Sequence, residues 1–343
     1  MADGRQYADL VFEGGGVKGI GLAGAFAALQ QRGFEHRSVA GTSAGAITAA
    51  LVAAGYSSAE LDEILLKVPF ADFKDPDWMD RLGIPGQAVS LLRDKGIYEG
   101  EFFRKWIAGL LEAKGVTHFG HLADEQAEEP NRRHRLKVIA SDVTHRRMLV
   151  LPDDARHLGV EPDELEIAYA VRMSMSIPIF FEPVVHRNPG TGEEHLIVDG
   201  GMLSNFPVWL FDCEGRDPNW PTFGLMLVEP DPKVPIGHRL EGEDHAVDRG
   251  SLIDYLKSLA STMMAAHDRL YLENATFART IPIPTLGVGT TEFDIQPERV
   301  KAIYESGHAA ASSFLDEWDF EAYIAEFRRD KEPLRRRDLL RST

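Results

Sequence analysis

Three short stretches carry residue types that can do acyl-transfer chemistry. Gly41-Thr42-Ser43-Ala44-Gly45 fits G-x-S-x-G and falls between an apolar run that reads as a strand and one that reads as a helix. A serine on such a turn projects its hydroxyl above the strand ends, small flanking residues let the chain cross there, and the helix that follows points its positive end at the site. Glu13-Gly14-Gly15-Gly16-Val17-Lys18-Gly19 follows another strand pattern. Consecutive glycines let backbone N–H groups turn toward one point, which suits a phosphate or the negative oxygen of a tetrahedral intermediate. Val198-Asp199-Gly200-Gly201 places a carboxylate at the end of a third strand pattern. A desolvated carboxylate within reach of a serine hydroxyl can take its proton.

Each stretch has a plainer reading. G-x-S-x-G recurs as a helix N-cap, and Asp-Gly is a common turn pair. Gly14, Gly16 and Gly19 also satisfy the dinucleotide fingerprint G-x-G-x-x-G. That fingerprint needs an acidic residue at the end of the second strand, where this chain runs directly into Gly-Thr-Ser. A phosphate-binding loop with Lys before Ser or Thr is missing as well.

The surrounding patterns supply the frame. Strands are expected at Ala8 to Glu13, Ser38 to Gly41, Leu136 to Ser141, Met148 to Leu151, Leu196 to Asp199 and Phe223 to Val228; helices at Lys18 to Gln31, from Ala44 to about Ala54, Ser251 to about Ala275, and Pro297 to Phe314. Strand, glycine turn, helix, strand, sharp turn, helix is the opening of an α/β fold whose mainly parallel sheet is covered on both faces. Residues 59–111, with Pro69, Pro76, Pro85 and several aromatics, read as a helical insertion above the sheet. Residues 319–343 read as a charged tail; between Arg328 and Arg341 lie seven basic residues and three acidic ones.

With these blocks in order the chain resembles the patatin-like phospholipase family, bacterial type. The family places a G-G-G-x-[RK]-G loop first, G-x-S-x-G some two dozen residues later, and D-G-[GA] well downstream. Ala140-Ser141-Asp142-Val143-Thr144, the run Ala170 to Val185, and Asp199 to Pro207 resemble further family blocks, so coverage runs from about Leu10 to Phe314. The resemblance implies a three-layer α/β/α unit over residues 8–318, with 59–111 building part of the pocket. It implies hydrolysis of lipid acyl esters by a Ser43–Asp199 dyad without histidine, Gly41 and Gly45 forming the nucleophile elbow, and Gly14, Gly15 and Gly16 the oxyanion hole. The family usually has Asp before the glycines, where this chain has Glu13.

Two rival readings stay open. An α/β-hydrolase would add a histidine after Asp199, for which His238, His245, His267 and His308 are available. A lipid-binding member with a dead site would keep the fold without turnover, although strained and glycine-rich turns are costly to retain without chemistry.

The 343 residues carry a formal charge of -17, which disfavours nucleic acid as a partner. Apolar stretches stop short of the roughly 20 residues that span a bilayer. The N-terminus does not read as a secretory signal and Cys213 is the one cysteine, both in keeping with a cytoplasmic protein that meets membranes peripherally. No metal is expected, because there is neither a His-Glu-x-x-His helix nor a run of clustered His and Cys, and no cofactor is expected either.

Overall fold

The computed structural model describes residues 5–66, 100, 103–127, 129–178, 180–213, 216–229, 274–290, 292 and 295–328. Strands β1 (Gln6–Phe12), β2 (Phe34–Thr42), β3 (Leu136–Asp142), β4 (Arg147–Leu151), β5 (Val184–Arg187), β6 (Glu194–Asp199), β7 (Thr222–Val228) and β8 (Thr280–Pro284) form one mixed sheet. Pairing runs β5-β6-β3-β2-β1-β7-β8, with β4 attached to β3. The run β3-β2-β1-β7-β8 is parallel throughout, as expected; β4, β5 and β6 are antiparallel to their neighbours. Neither β5 nor β8 stands out in the sequence, β5 because it is only four residues with none fully buried and β8 because Pro282 and Pro284 interrupt its pattern.

The register around β3 decides where the candidate chemistry sits. β4 pairs with Val138 to Asp142 along one edge of β3. On the opposite edge β2 pairs with Leu136 to Ile139 and β6 with Ala140 to Asp142. A strand has only two edges, so β2 and β6 share one and approach head to head. Thr42 lies opposite Ile139 and Asp199 opposite the next residue, Ala140.

Side chains alternate between two cores, as a sheet buried on both faces requires. Leu10, Phe12, Val138, Ala140, Phe223 and Leu225 enter the larger one, together with α1 (Ile20–Gln31), α2 (Ala44–Ala53) and α5 (Ile167–Ser174). Val11, Ala40, Ile139, Met226 and Val228 enter the other, covered among the described residues by Phe206 and the turn Val208–Phe211. The first helix starts at Ile20, two residues later than its pattern suggests, because Gly16–Gly19 winds into a 3-10 turn.

Helix α1 is buried along Ile20 to Leu29, between the sheet and α6 (Pro297–Glu317). A Cβ on Gly24 would fall 1.9 Å from the Tyr304 carbonyl oxygen, and one on Gly307 the same distance from that of Gly21, so the two helices meet backbone to backbone.

Of the expected insertion, α3 (Ser58–Leu66) and a helix over residues 103–113, α4, are described. Residues 67–99 and all but the last two positions of the expected 251–275 helix lie outside the described residues. The packed fold continues past residue 318. Helix α7 (Phe320–Phe327) buries Tyr323 and Ile324, and Arg328 pairs with Asp212 beside Arg279. The rest of the expected tail, from residue 329, is outside the described residues.

An aromatic cluster fastens the C-terminal helices to the sheet. Phe223 of β7 meets Phe34, Phe314 and Trp318 edge-on at 5.4, 5.9 and 5.3 Å between ring centres. Phe223→Ala is expected to destabilise the protein by about 3–5 kcal/mol, through lost apolar contact and a cavity between α6 and the sheet, read as the shift of a urea unfolding curve.

Candidate functional site

Ser43 takes up a conformation that side chains avoid, with φ 53° and ψ -126°. Such a residue costs of order 1–3 kcal/mol and persists only where its surroundings enforce it. Here they do so by close backbone approach. A Cβ on Gly41 would lie 2.2 Å from the Gly45 carbonyl oxygen, and one on Gly45 2.2 Å from that of Phe12. Either side chain would push α2 off the strand ends.

The Ser43 N–H donates to Ser174 Oγ at 2.8 Å, and Thr42 Oγ1 donates to the Ser204 carbonyl at 3.1 Å. Ser43 occupies the N-cap position of α2, but its side chain makes no capping hydrogen bond. The simplest bland reading of G-x-S-x-G therefore fails. The hydroxyl instead lies 3.8 Å from Met175 Sδ and faces Asp199.

Asp199, the last residue of β6, is wholly buried. Its N–H donates to the Ser176 carbonyl at 2.9 Å, and its Oδ1 accepts the Gly201 N–H at 2.7 Å. The turn can follow because Gly200 packs on β3, where a Cβ would lie 2.3 Å from the Ile139 carbonyl oxygen. Burial pushes the Asp199 carboxyl up to about 7, against the opposing pull of the Ser43 hydroxyl and the Gly201 N–H. The hydroxyl is close enough to favour the ionised carboxylate, yet no hydrogen bond joins the two side chains, and Asp199 Oδ2 has no partner among the described residues.

The glycine loop closes the third side. Gly14 lies against the elbow, with Thr42 O 3.1 Å from the place of its absent Cβ, and Gly19 lies against Ala44. Gly16 has φ 56°, and a Cβ there would collide with the Thr290 carbonyl at 2.0 Å. The N–H groups of Gly15 and Gly16 find no acceptor among the described residues.

Glu13 ties the start of the loop to the sheet. Where the chain leaves β1 at Gly14, its Oε2 accepts the Leu227 N–H of β7 at 2.5 Å. Lys18 does not point freely into solvent, since its Nζ bonds Glu229 Oε1 at 2.5 Å.

Several residues at the site carry no chemical signature of their own. Asn205 clamps the loop, its backbone carbonyl accepting the Gly14 N–H at 3.2 Å and its Nδ2 donating to the Gly14 carbonyl at 3.0 Å. Ser174, Met175 and Ser176 close α5 and hold both halves of the pair. Arg172, buried one turn earlier, fixes Ser176 by a 2.5 Å bond to its Oγ and reaches the Glu182 carbonyl at 2.9 Å. Their only mark in the sequence is membership of the blocks at 170–185 and 199–207.

Of the histidines that a triad would need, His308 is half-buried and bonds Gln31 at 2.8 Å at the far end of α1; His238, His245 and His267 lie outside the described residues. A cleft of about 350 Å³ lined by Tyr56, Ile64, Trp106 and Leu110 opens beyond the C-terminal end of α2. It is roughly 15 Å along that helix from Ser43, too far to be part of the site. Asp142, His145 and His195 each bring one candidate ligand atom within 4.8 Å of the others, away from the Ser43–Asp199 pair. Residues 50 positions apart in the chain meet there because β6 pairs with β3.

The sequence model of the patatin-like phospholipases matches residues 10–212. The uncharacterised protein YqhO of Bacillus subtilis is 38% identical over 316 residues, covering 92% of this chain and all of that protein. A protein of Invertebrate iridescent virus 6 named as the probable lipid hydrolase 463L is 26% identical over 219 residues, 60% of this chain and 63% of its own length. Among solved structures, VipD from Legionella pneumophila is 20% identical with a TM-score of 0.47, over 91% of this chain and 67% of VipD.

The raised Asp199 carboxyl has a stability signature. Its folded value, about 7, lies above the 3.8 of a free carboxyl, so the folded state holds the proton more tightly. The group carries no penalty below about pH 4, loses stability through the interval up to 7, and is most costly above it. Asp199→Asn is therefore expected to gain on the wild type by a few kcal/mol between pH 4 and pH 8, read from denaturant unfolding at both. A wild-type-minus-variant difference that stays flat with pH contradicts the burial argument.

Proposed function

The chain belongs to the patatin-like phospholipase family, and on that premise we propose that it is a serine hydrolase of lipid acyl esters working through Ser43 and Asp199. The observation that carries this reading is the pairing of a strained serine, spared from capping its own helix, with a buried carboxyl raised to about 7. In that range the carboxyl is a stronger base than an ordinary aspartate and is still ionised in a useful fraction of molecules at neutral pH.

In the reaction, Ser43 Oγ attacks the ester carbonyl as Asp199 takes the hydroxyl proton. The carbonyl oxygen becomes an oxyanion, received by the unspent N–H groups of Gly15 and Gly16 and by the positive end of α2. The tetrahedral intermediate collapses, Asp199 returns the proton to the departing alcohol, and the acyl group stays on Ser43. Water then repeats the sequence, giving its proton to Asp199 and its oxygen to the acid product, and Ser43 recovers its hydrogen.

Lipid esters as substrates accord with the family and with the name of the iridescent-virus relative; the choice among phospholipid, lysophospholipid and glyceride belongs to pocket residues. Residues 59–111 are assigned to that pocket, and the hydrolase unit is taken to run from residue 8 past 318 through the helix Phe320–Phe327. Lipid access is taken as peripheral, since no helix among the described residues is long and apolar enough to cross a membrane. His308, bonded to Gln31 at the far end of α1, is not placed to complete a Ser-Asp-His triad.

A fluorophosphonate probe is expected to label Ser43 alone, mapped by peptide mass. Asp199→Asn should keep the fold and lose on the order of 10³ or more in kcat on a short soluble ester. In the wild type kcat/KM should fall about tenfold per pH unit below 7, as Asp199 takes up its proton, and level off above it. Label on another serine, or a downstream His→Ala as damaging as a mild Asp199→Asn, would refute the dyad.

A further inference from the structure

Asp142 ends β3, His145 sits in the turn to β4, and His195 lies on β6. Asp142 Oδ2 is 2.8 Å from His145 Nδ1 and 2.9 Å from His195 Nδ1, and the Asp142 and His195 side chains are almost completely buried. The far nitrogen of His145, Nε2, lies 2.9 Å from Glu193 Oε1. A carboxylate there accepts a proton and cannot give one, so in neutral His145 the hydrogen resides on Nε2 and Nδ1 carries the lone pair. That lone pair points at the Asp142 oxygen, another acceptor. Two acceptors at 2.8 Å need a cation between them, either a second proton on the ring or a metal ion.

His195 adds a further indication. It is 3% exposed, and its Nε2 has no partner among the described residues. No outer bond fixes its tautomer, so its proton can reside on Nε2 and leave the Nδ1 lone pair free to ligate. Two imidazoles and a carboxylate are ligands of the zinc class, and a ligating histidine in such a site usually donates its outer N–H to a carboxylate, as His145 does to Glu193.

We propose that Asp142, His145 and His195 bind a divalent ion of the zinc class, with Glu193 orienting His145, as a clamp between β6 and the β3–β4 turn. Zinc bonds of about 2.0–2.1 Å in a tetrahedral arrangement set ligand atoms roughly 3.3 Å apart, so binding opens the present contacts by about half an ångström. The position gives the ion a structural role. His195 and Asp199 project from the same face of β6, four residues or roughly 13 Å apart, and the ion fixes the register of the strand that delivers Asp199. It takes no part in the hydrolysis.

The test uses the full chain, stripped with a chelator and dialysed against Zn²⁺, with bound metal counted per chain and thermal unfolding followed in parallel. One ion per chain is expected, with a higher unfolding temperature when loaded. His145→Ala and His195→Gln should each weaken binding at least 100-fold, and Glu193→Gln by about 10–100-fold. Ser43→Ala should bind as the wild type does, whether or not it hydrolyses esters, which separates this site from the dyad. His145 and Glu193 are partly exposed, so their variants decide the matter even if His195→Gln does not fold, circular dichroism being the check. Zn²⁺ that binds no tighter than millimolar, or that is retained unchanged by His145→Ala and Glu193→Gln, overturns the proposal and leaves a doubly protonated His145 as the cation.

Discussion

One carboxyl group sets the terms for the rest of this structure. Asp199 is fully buried, holds a single backbone hydrogen bond at Oδ1, and leaves Oδ2 without a partner among the described residues. A buried polar atom left unpaired costs about 1–3 kcal/mol, and an ionised one more. At Asp199 the fold accepts that cost where the neighbouring side chain is a serine hydroxyl. A carboxyl better supplied with donors would be a more stable aspartate and a weaker base.

Holding this pair takes three devices of different origin. The shared edge of β3 brings the C-terminal ends of β2 and β6 face to face, so Ser43 and Asp199 arrive from opposite directions. The end of α5 ties both, through the Ser174 hydroxyl and the Ser176 carbonyl, and Arg172 steadies that end in turn. The glycines at 41, 45 and 200 let backbones approach where any Cβ would collide. Strain at Ser43 is thus spread over a wide set of ordinary contacts, the condition under which such a conformation survives.

The same antiparallel pairing has a second consequence. Running β6 against β3 places His195 beside Asp142 as directly as it places Asp199 beside the elbow. The strand then carries two polar clusters on one face, and whatever fixes its register acts on both.

The sequence by itself determined the local pieces: the turn at Ser43, the glycine loop, the strand ending in Asp199 and the two buried Ala/Gly-rich helices, since each is fixed by spacing and residue size within some ten positions. The order of the blocks was enough to place the chain in its family. Strand β5 and the Pro-broken β8 were not legible, because short edge segments take their conformation from partners rather than from their own pattern. Only the tertiary structure decided which residues support the site. Ser174, Ser176 and Asn205 act through a hydroxyl, a backbone carbonyl and an amide whose partners are distant in the chain, Arg172 braces Ser176 from one turn away, and Asp142, His145 and His195 become neighbours through the β3–β6 register. Periodicity reports which face of an element is buried; it is silent on what that face meets, and the pairing of strands as far apart in the chain as β1 and β7 settles that.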